Sequence, residues 1–576
     1  MQIIINHLGF RPEDKHKRAI IMGECERDIF QIIDLGVEGY NEKNANPKTN
    51  YVIYEGRIKE ESYFGKSCYV ADFSDFKTPG VYLITINNEN NSVPFTIRDD
   101  IYSRTLKKAF NYIHIQRCGR AVEGYHEACH LDDAVEWESG EYINTTGGWH
   151  DAGDLRKWVI HTLLLGISIV KLKRLINPDW YAFDKDEGDL LNELRWGNKY
   201  FLKMQDKDGC IWHDVGGGLR GDNCDNRWTD NIKCSGDERH LNKKCLTIIQ
   251  WRFIMFEIMV ADLFKECDPE YSTTCYKAAI KTYKYIYQNE NKHTNEATWA
   301  ILALIELCSF SKAQNYTETQ GINSEKDLTE RLESEINNLL SLQEKDFKFE
   351  QSKIKGYWYS TSDKNDFYRW HEGSGGPIIA LSEVCGFLDQ KHPLRRKCIE
   401  AIKLYCRDYI LPMTQTNPFR IVPFGLYENE PSDEKYRELE GNLKFRFFAP
   451  TKCGFYQGLT AHLLSHSVGM TMAGKLLEDN NLMDLARNQV EWVMGCNPEN
   501  ACLMTAEGIN NPYPHSRFLG LIPGGIMNGF IGDENDKPFL DMRYTTDWRT
   551  TEYWSPHTCF YIWYVSLLNI KGGENK

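Results

Sequence analysis

The sequence predicts two units of different class: an all-β sandwich of immunoglobulin type over residues 1–98 and an all-α helical toroid over residues 99–576. Three observations carry this. Short β-rich runs separated by turn residues fill the first stretch, and after Asp99-Asp100 the apolar period becomes that of helices. The loops between those helices gather Gly, Trp, His and acids, so a site is expected where they converge at one end of the toroid.

In the first unit the runs are QIIIN, RAIIMG, IFQIID, YVIYEG, CYVADF, GVYLITI and VPFTI, several of them alternating apolar and polar. So many strands in so few residues predict a sandwich. The unit holds no cluster of catalytic residue types and reads as a packing module. In the second unit, apolar residues at i, i+3 and i+4 predict helices over residues 102–117, 157–175, 246–265, 296–310, 377–388, 396–410, 456–477, 482–494 and 559–568. Residues 312–345 are polar and predict a solvated loop with some helix.

Composition narrows the function classes. The chain has 576 residues, 82 acidic against 68 basic side chains and a formal charge of −14. It has no basic cluster for nucleic acid and no run of 18 apolar residues to span a membrane. The start MQIIINHLGFRP lacks the features of a secretory leader, and the 18 cysteines are scattered without a framework, which together predict reduced thiols and a cytoplasmic home. Phosphate-loop, dinucleotide, zinc-protease and serine-elbow motifs are absent.

The strongest chemical signal is Gly147-Gly148-Trp149-His150-Asp151-Ala152-Gly153-Asp154. Two carboxylates three residues apart, joined by small residues, can turn into one cavity and share a water, one as base and one as orienting partner. A second signal is Thr551-Glu552-Tyr553-Trp554. A Glu shielded by aromatics holds its proton more firmly, as a donor to a leaving oxygen must. Asn510 to Arg517 brings His515 and Arg517, which can grip sugar hydroxyls. Trp370-His371-Glu372 and His213-Asp214 place acids and rings beside glycines, and Arg227-Trp228-Thr229-Asp230-Asn231 is similar in make-up.

No cofactor is required for this chemistry. For a structural metal, Cys210, His213, Cys224, Cys234, His240 and Cys245 offer zinc ligands at irregular spacing, and acidic loops at 222–225 and 533–541 offer oxygens for calcium.

Together these residues resemble glycoside hydrolase family 9. Ile5-Asn6-His7-Leu8-Gly9-Phe10 looks like the opening of the immunoglobulin-like domain that precedes many of its catalytic domains. The run from Gly147 to Asp154 resembles the family's base motif, Gly495-Cys496-Asn497-Pro498 with Pro514-His515-Ser516-Arg517 its late loop, and Thr551-Glu552 its acid motif. The resemblance implies a six-hairpin (α/α)6 toroid and an inverting mechanism, with Asp154 as base, Asp151 sharing the water, Glu552 as acid, and His515 and Arg517 on the sugar. The residue reading itself adds Trp149, His150, Trp370, His371, Glu372, Asp214 and Tyr553 as candidate substrate contacts. Ser516 stands where cellulases of the family commonly have a second histidine, so the sugar stays open between cello- and glucosamine oligosaccharides. An intracellular exo-enzyme on β-1,4-linked oligosaccharides is expected. An endo-glucanase and a non-catalytic sugar-binding protein are the alternatives.

Overall fold

The computed structural model describes residues 1–36, 51–63, 66–87, 89–178, 189–216, 224–314, 325–346, 354–428, 433–452, 456–518, 520–543 and 547–568. Of the positions singled out above, residues 222–223 of one acidic loop and 315–324 of the polar stretch lie outside these.

Eight strands build the N-terminal unit: β1 (Gln2–Ile4), β2 (Arg18–Met22), β3 (Ile29–Asp34), β4 (Tyr51–Tyr63), β5 (Lys66–Asp72), β6 (Gly80–Ile86), β7 (Asn90–Asn91) and β8 (Phe95–Ile97). They pair antiparallel in the order β1-β2-β5-β4-β3-β6-β7, with β8 added to β6. At 13 residues β4 serves two layers, because Ile58 onward pairs with β5 while the stretch before it pairs with β3. The two faces of the expected sandwich are therefore one hydrogen-bonded path bent through β4. Phe10, Phe30, Phe73, Phe76, Tyr82 and Phe95 fill the space between.

The rest is mainly helical, with short strands forming three small sheets in its loops: α1 (Ser103–Ile115), α2 (Val159–Leu175), α3 (Leu190–Lys203), α4 (Thr247–Phe264), α5 (Pro269–Ile286), α6 (Thr294–Gln314), α7 (Glu325–Ser341), α8 (Gly376–Phe387), α9 (Pro393–Tyr405), α10 (Leu411–Thr414), α11 (Thr460–Leu477), α12 (Asn480–Val493), α13 (Trp548–Thr551) and α14 (Ser555–Leu567). Six of them form a closed cycle of neighbours. α2 packs on α4, α4 on α6, α6 on α8, α8 on α11, α11 on α14, and α14 returns to α2. These six are apolar nearly all round, as in α4 (TIIQWRFIMFEIMVADLF), because each is covered on every side. The helices outside them, such as α5 with its stripe of Cys275, Ala278, Ala279 and Tyr283, bury one face only.

All nine predicted helical segments lie on helices, although the one over 396–410 ends in a π turn at Cys406–Ile410. Two outer helices, α3 and α5, were not anticipated, since their apolar residues are diluted by charge. They start on strong local signals, Asp189 accepting from Asn192 N–H and Asp268 accepting from Tyr271 N–H ahead of Pro269. The polar stretch 312–345 carries the end of α6 and all of α7.

The two units share a packed boundary. Ile4, Leu8, Ile20, Cys68 and Val70 join the same core as the helices. Arg487 of α12 is buried between Asp14 of the first unit, at 3.1 Å, and Asp484 and Glu491 of its own helix, at 3.0 and 3.1 Å. Removing one partner of such a buried set costs ~3–5 kcal/mol, so the boundary holds the units in one register.

Candidate active site

Three segments meet at one end of the helical ring. The run from Gly147 to Asp154 leads into α2, Trp370 to Gly375 leads into α8, and α13 with Glu552 leads into α14. Gly148 sits at φ +80° with its α-carbon against the Tyr200 ring, where a side chain would collide. Gly153 lies so near the His515 carbonyl that a β-carbon would come within 2.3 Å of it, and its own carbonyl accepts from Arg517 N–H at 2.8 Å. Ala152 bridges Trp554, His515 bridges Glu552, and the Asp151 carbonyl accepts from Ser555 N–H at 2.8 Å. Backbone pairing therefore brings the runs at 151–154, 515–517 and 551–555 together from across the chain, and the Trp370–Gly375 run joins them through its side chains, with His371 stacked on Trp554 and Glu372 on His161.

A cavity of about 460 Å³ opens where they meet, within the size range of small-ligand sites. Asp151, Asp154, Glu552, His515, Trp370, His371 and Glu372 all line it. The remaining predicted positions lie elsewhere. Trp149 is fully buried in the core and donates from its indole N–H to Glu193 at 2.8 Å. Tyr553 is fully buried with its hydroxyl on Thr505 at 2.8 Å. His150 faces a cluster of cysteines, described below. Asp214 sits beneath the cavity wall, bonded to His213 at 2.6 Å and to Arg156 at 2.8 and 2.9 Å, two side chains that do line it. Arg517 is exposed at the rim and bonds Asn226, a lining residue, at 3.0 Å. These five inward-facing or rim positions support the wall instead of forming it.

Further lining residues escaped the sequence reading. Arg156, His161, Asp225, Asn226, Gln457 and Asn528 stand in runs without a distinctive pattern. Trp158, Trp370, Trp548 and Trp554 give the cavity its aromatic walls. Arg156 lies over the Trp158 ring at 3.9 Å and His371 stacks on Trp554 at 5.9 Å.

The three acids have unequal surroundings. Asp151 is fully committed, with Oδ1 accepting from Trp158 N–H at 3.3 Å and Oδ2 at 3.1 Å from His161 Nδ1. Asp154 accepts only from Arg156 N–H, on Oδ1 at 3.0 Å, among the described residues. The Glu552 carboxyl makes no hydrogen bond to a described residue. Burial, then the Asp151 charge, pushes Asp154 up to about 7. Burial, then the Asp154 charge, holds Glu552 well above the usual carboxylate range. Carboxyls gathered on one cavity and sheltered from water do not all ionise, and Glu552 holds its proton against the charge of Asp154.

The metal ligands expected at Cys210 to Cys245 are not a set. Cys210 and Cys245 are joined as a disulfide, His213 serves Asp214, and Cys234 is exposed. That bond also corrects the expectation of uniformly reduced thiols. In the acidic loop 533–541, Asp536 is taken by Arg437 and by the amides of Phe447 and Phe448, and Asp541 by Arg543.

A different cluster has the right chemistry. Cys118, Cys129, His130 and His150 are all buried with their ligand atoms within 4.8 Å of one another. Cys118 Sγ is 3.6 Å from His130 Nδ1, and His150 Nε2 is 3.4 Å from His130 Nδ1 and 3.9 Å from Cys129 Sγ. Zinc bonds of about 2.0 Å to nitrogen and 2.3 Å to sulfur put tetrahedral corners roughly 3.3–3.8 Å apart, so the set fits that ion. His130 turns its other ring nitrogen to the Arg227 carbonyl at 3.1 Å, leaving Nδ1 for the cluster. The missed signal was Cys129-His130 placed eleven residues after Cys118 and ahead of His150.

Comparison with known proteins agrees with this geometry. Residues 102–553 match the family model of glycosyl hydrolase family 9, and residues 1–91 match the cellulase N-terminal ig-like domain. A cellodextrinase of Butyrivibrio fibrisolvens is 29% identical over 37% of this chain and 40% of its own length. Endoglucanase D of Acetivibrio thermocellus is 23% identical over 94% of this chain and 79% of its own. A metagenome-derived family 9 endoglucanase of known structure superposes with a TM-score of 0.70 at 18% identity, covering 99% of both chains. The chain therefore belongs to glycosyl hydrolase family 9 and is a glycoside hydrolase with a cellulase-type immunoglobulin-like domain ahead of its helices.

Proposed function

We propose that this protein hydrolyses β-1,4-linked gluco-configured oligosaccharides with inversion, Asp154 acting as base and Glu552 as acid. The observation that carries the reading is the unequal hold on protons by acids lining one aromatic-walled cavity. Asp154, with an oxygen free of described partners, takes a proton from water while that water attacks the anomeric carbon. Glu552 gives its proton to the glycosidic oxygen as the C–O bond breaks. Asp151, fixed by Trp158 and His161, orients the water. His515, Trp370 and His371 hold the sugar, with Arg517 at the rim. The names of the relatives, a cellodextrinase and an endoglucanase, favour glucose units.

An end-trimming enzyme is part of this reading, and so is a cytoplasmic home, which fifteen free cysteines among the described residues support and the Cys210–Cys245 bond opposes. Its helical ring is read as the (α/α)6 toroid over residues 99–576, with the sandwich over 1–98. The cluster at Cys118, Cys129, His130 and His150 is read as a zinc site whose ion would brace the strand leading to Asp151.

A second reading, a glucosamine-bearing substrate, rests on Asp225. Glu372 and Asp214 are already neutralised by Arg252 and Arg156, whereas Asp225 lines the cavity with Arg156 4.0 Å away. Incubation with cello- and chitosan-oligosaccharide panels decides between the readings. Release of single glucose units supports the first. Glucosamine release lost in D225N supports the second, random internal cuts show endo action, and no cleavage of either panel ends both.

A further inference from the structure

One lining residue, already met on Asp151, joins two walls of the cavity. His161, on the first turn of α2, is buried with Nδ1 3.1 Å from Asp151 Oδ2 and Nε2 3.2 Å from Glu372 Oε1. Glu372 Oε2 in turn accepts from Arg252 Nη1 of α4 at 2.9 Å. Four groups of alternating charge thus run in a line from the core to the cavity: Arg252, Glu372, His161, Asp151. None of the four appears in the sequence motifs as a unit.

We propose that His161 is a positioning residue, a doubly protonated imidazolium clamped between Asp151 and Glu372 that fixes the carboxylate orienting the attacking water. This rests on the reading of Asp151 given above. Both ring nitrogens face carboxylate oxygens, so each needs a proton to make its contact. The other assignment, with the Trp554 indole N–H donating to Nδ1 at 3.3 Å, would set a lone pair of His161 against Asp151 Oδ2. Burial opposes the charge, but Glu372 and Asp151 override it and raise His161 to about 9. Its other titratable neighbours, His371 and His557, are held neutral by burial, at about 4 and about 3. Arg252 lies beyond Glu372 and keeps that carboxylate ionised against the cost of burial.

The clamp has a consequence for the cavity. Both oxygens of Glu372 are occupied, so this wall presents a fixed surface and not a free charge to the sugar. Asp151 likewise has a set angle, while Asp154 beside it stays free to take a proton.

The test uses the full chain labelled with ¹⁵N in histidine, together with H161N and H161Q. In the wild-type spectrum at pH 7, His161 shows two ring N–H signals and titrates only near pH 9, and E372Q lowers that titration. H161N and H161Q lower kcat roughly a hundredfold with KM little changed, the size of loss a small misplacement near reacting atoms brings. A single ring N–H at pH 7, or wild-type kcat in a folded H161N, overturns the proposal. The spectrum needs no substrate. A wild-type protein that cleaves no β-glucan would therefore sink the proposed function while leaving the clamp to be judged by its own signals.

Discussion

Two carboxylates at the Trp149–Asp154 run, one fully buried behind it and one half-buried at the cavity, behave in opposite ways. Glu193 of α3 is fully buried but meets His114 at 2.7 Å, Arg117 at 2.9 Å and the Trp149 indole N–H at 2.8 Å. Burial works against its charge, yet these donors hold it down to about 2. Asp154, at the other end of the run, forms no ion pair with a described residue and is pushed up to about 7 by burial and by Asp151, against the weaker pull of Arg156. The lesson is that burial alone does not mark a reactive acid. Compensation makes Glu193 a permanent anion that ties the run to α1 and α3, and its absence leaves Asp154 and Glu552 able to exchange protons.

The sharpest way to break the comparison is to remove the uncompensated acids. D154N and E552Q each lower kcat on a β-1,4-gluco-oligosaccharide by roughly 10²–10⁴-fold with the thermal midpoint unchanged or raised. Equal loss of stability would place these acids with Glu193. Replacing the compensated one has the converse effect. E193Q strands Arg117 and His114 and costs ~3–5 kcal/mol in urea unfolding. The sign with pH follows from its lowered value. The stabilisation from Glu193 is complete above its unfolded value near 4.5 and fades as pH falls toward about 2, so E193Q flattens the acid side of the stability curve.

A smaller effect sharpens the electrostatics of the cavity. The acid limb of kcat/KM follows Asp154, and activity falls as pH drops below about 7. D151N removes a like charge, so Asp154 ionises more readily and the limb moves to lower pH, alongside a drop in kcat. An unmoved limb means that Asp151 carries no charge felt by Asp154. The smallest effect concerns the brace. C118S, or prolonged chelation, lowers the thermal midpoint by a few degrees and leaves the acid limb in place.

Much of this was readable before any coordinates, for a physical reason. The six ring helices are covered on all sides, so their sequences are almost unbroken apolar runs, as in α4 and α14. The amphipathic α3 and α5 spread few apolar residues among charges, and only their Asp caps speak for them. Asp151, Asp154 and Glu552 were legible because two short acidic runs with glycine and aromatics are unusual. Trp149, His150 and Tyr553 share those runs, and Asp214 a glycine-flanked run of its own, but all four turn away from the cavity, a direction that local sequence does not encode. His161 and Arg156 had no motif at all, since their roles depend on Glu372 and Asp214 more than fifty residues distant.

The central claim is that Asp154 activates a single water on one side of the scissile bond while Glu552, on the other side, gives its proton to the leaving oxygen. Proton NMR of the first minutes of hydrolysis of a β-1,4-gluco-oligosaccharide reads this directly. The account predicts that the newly formed reducing end appears first as the α anomer and then mutarotates. A product that appears first as the β anomer would require a covalent intermediate and would contradict it.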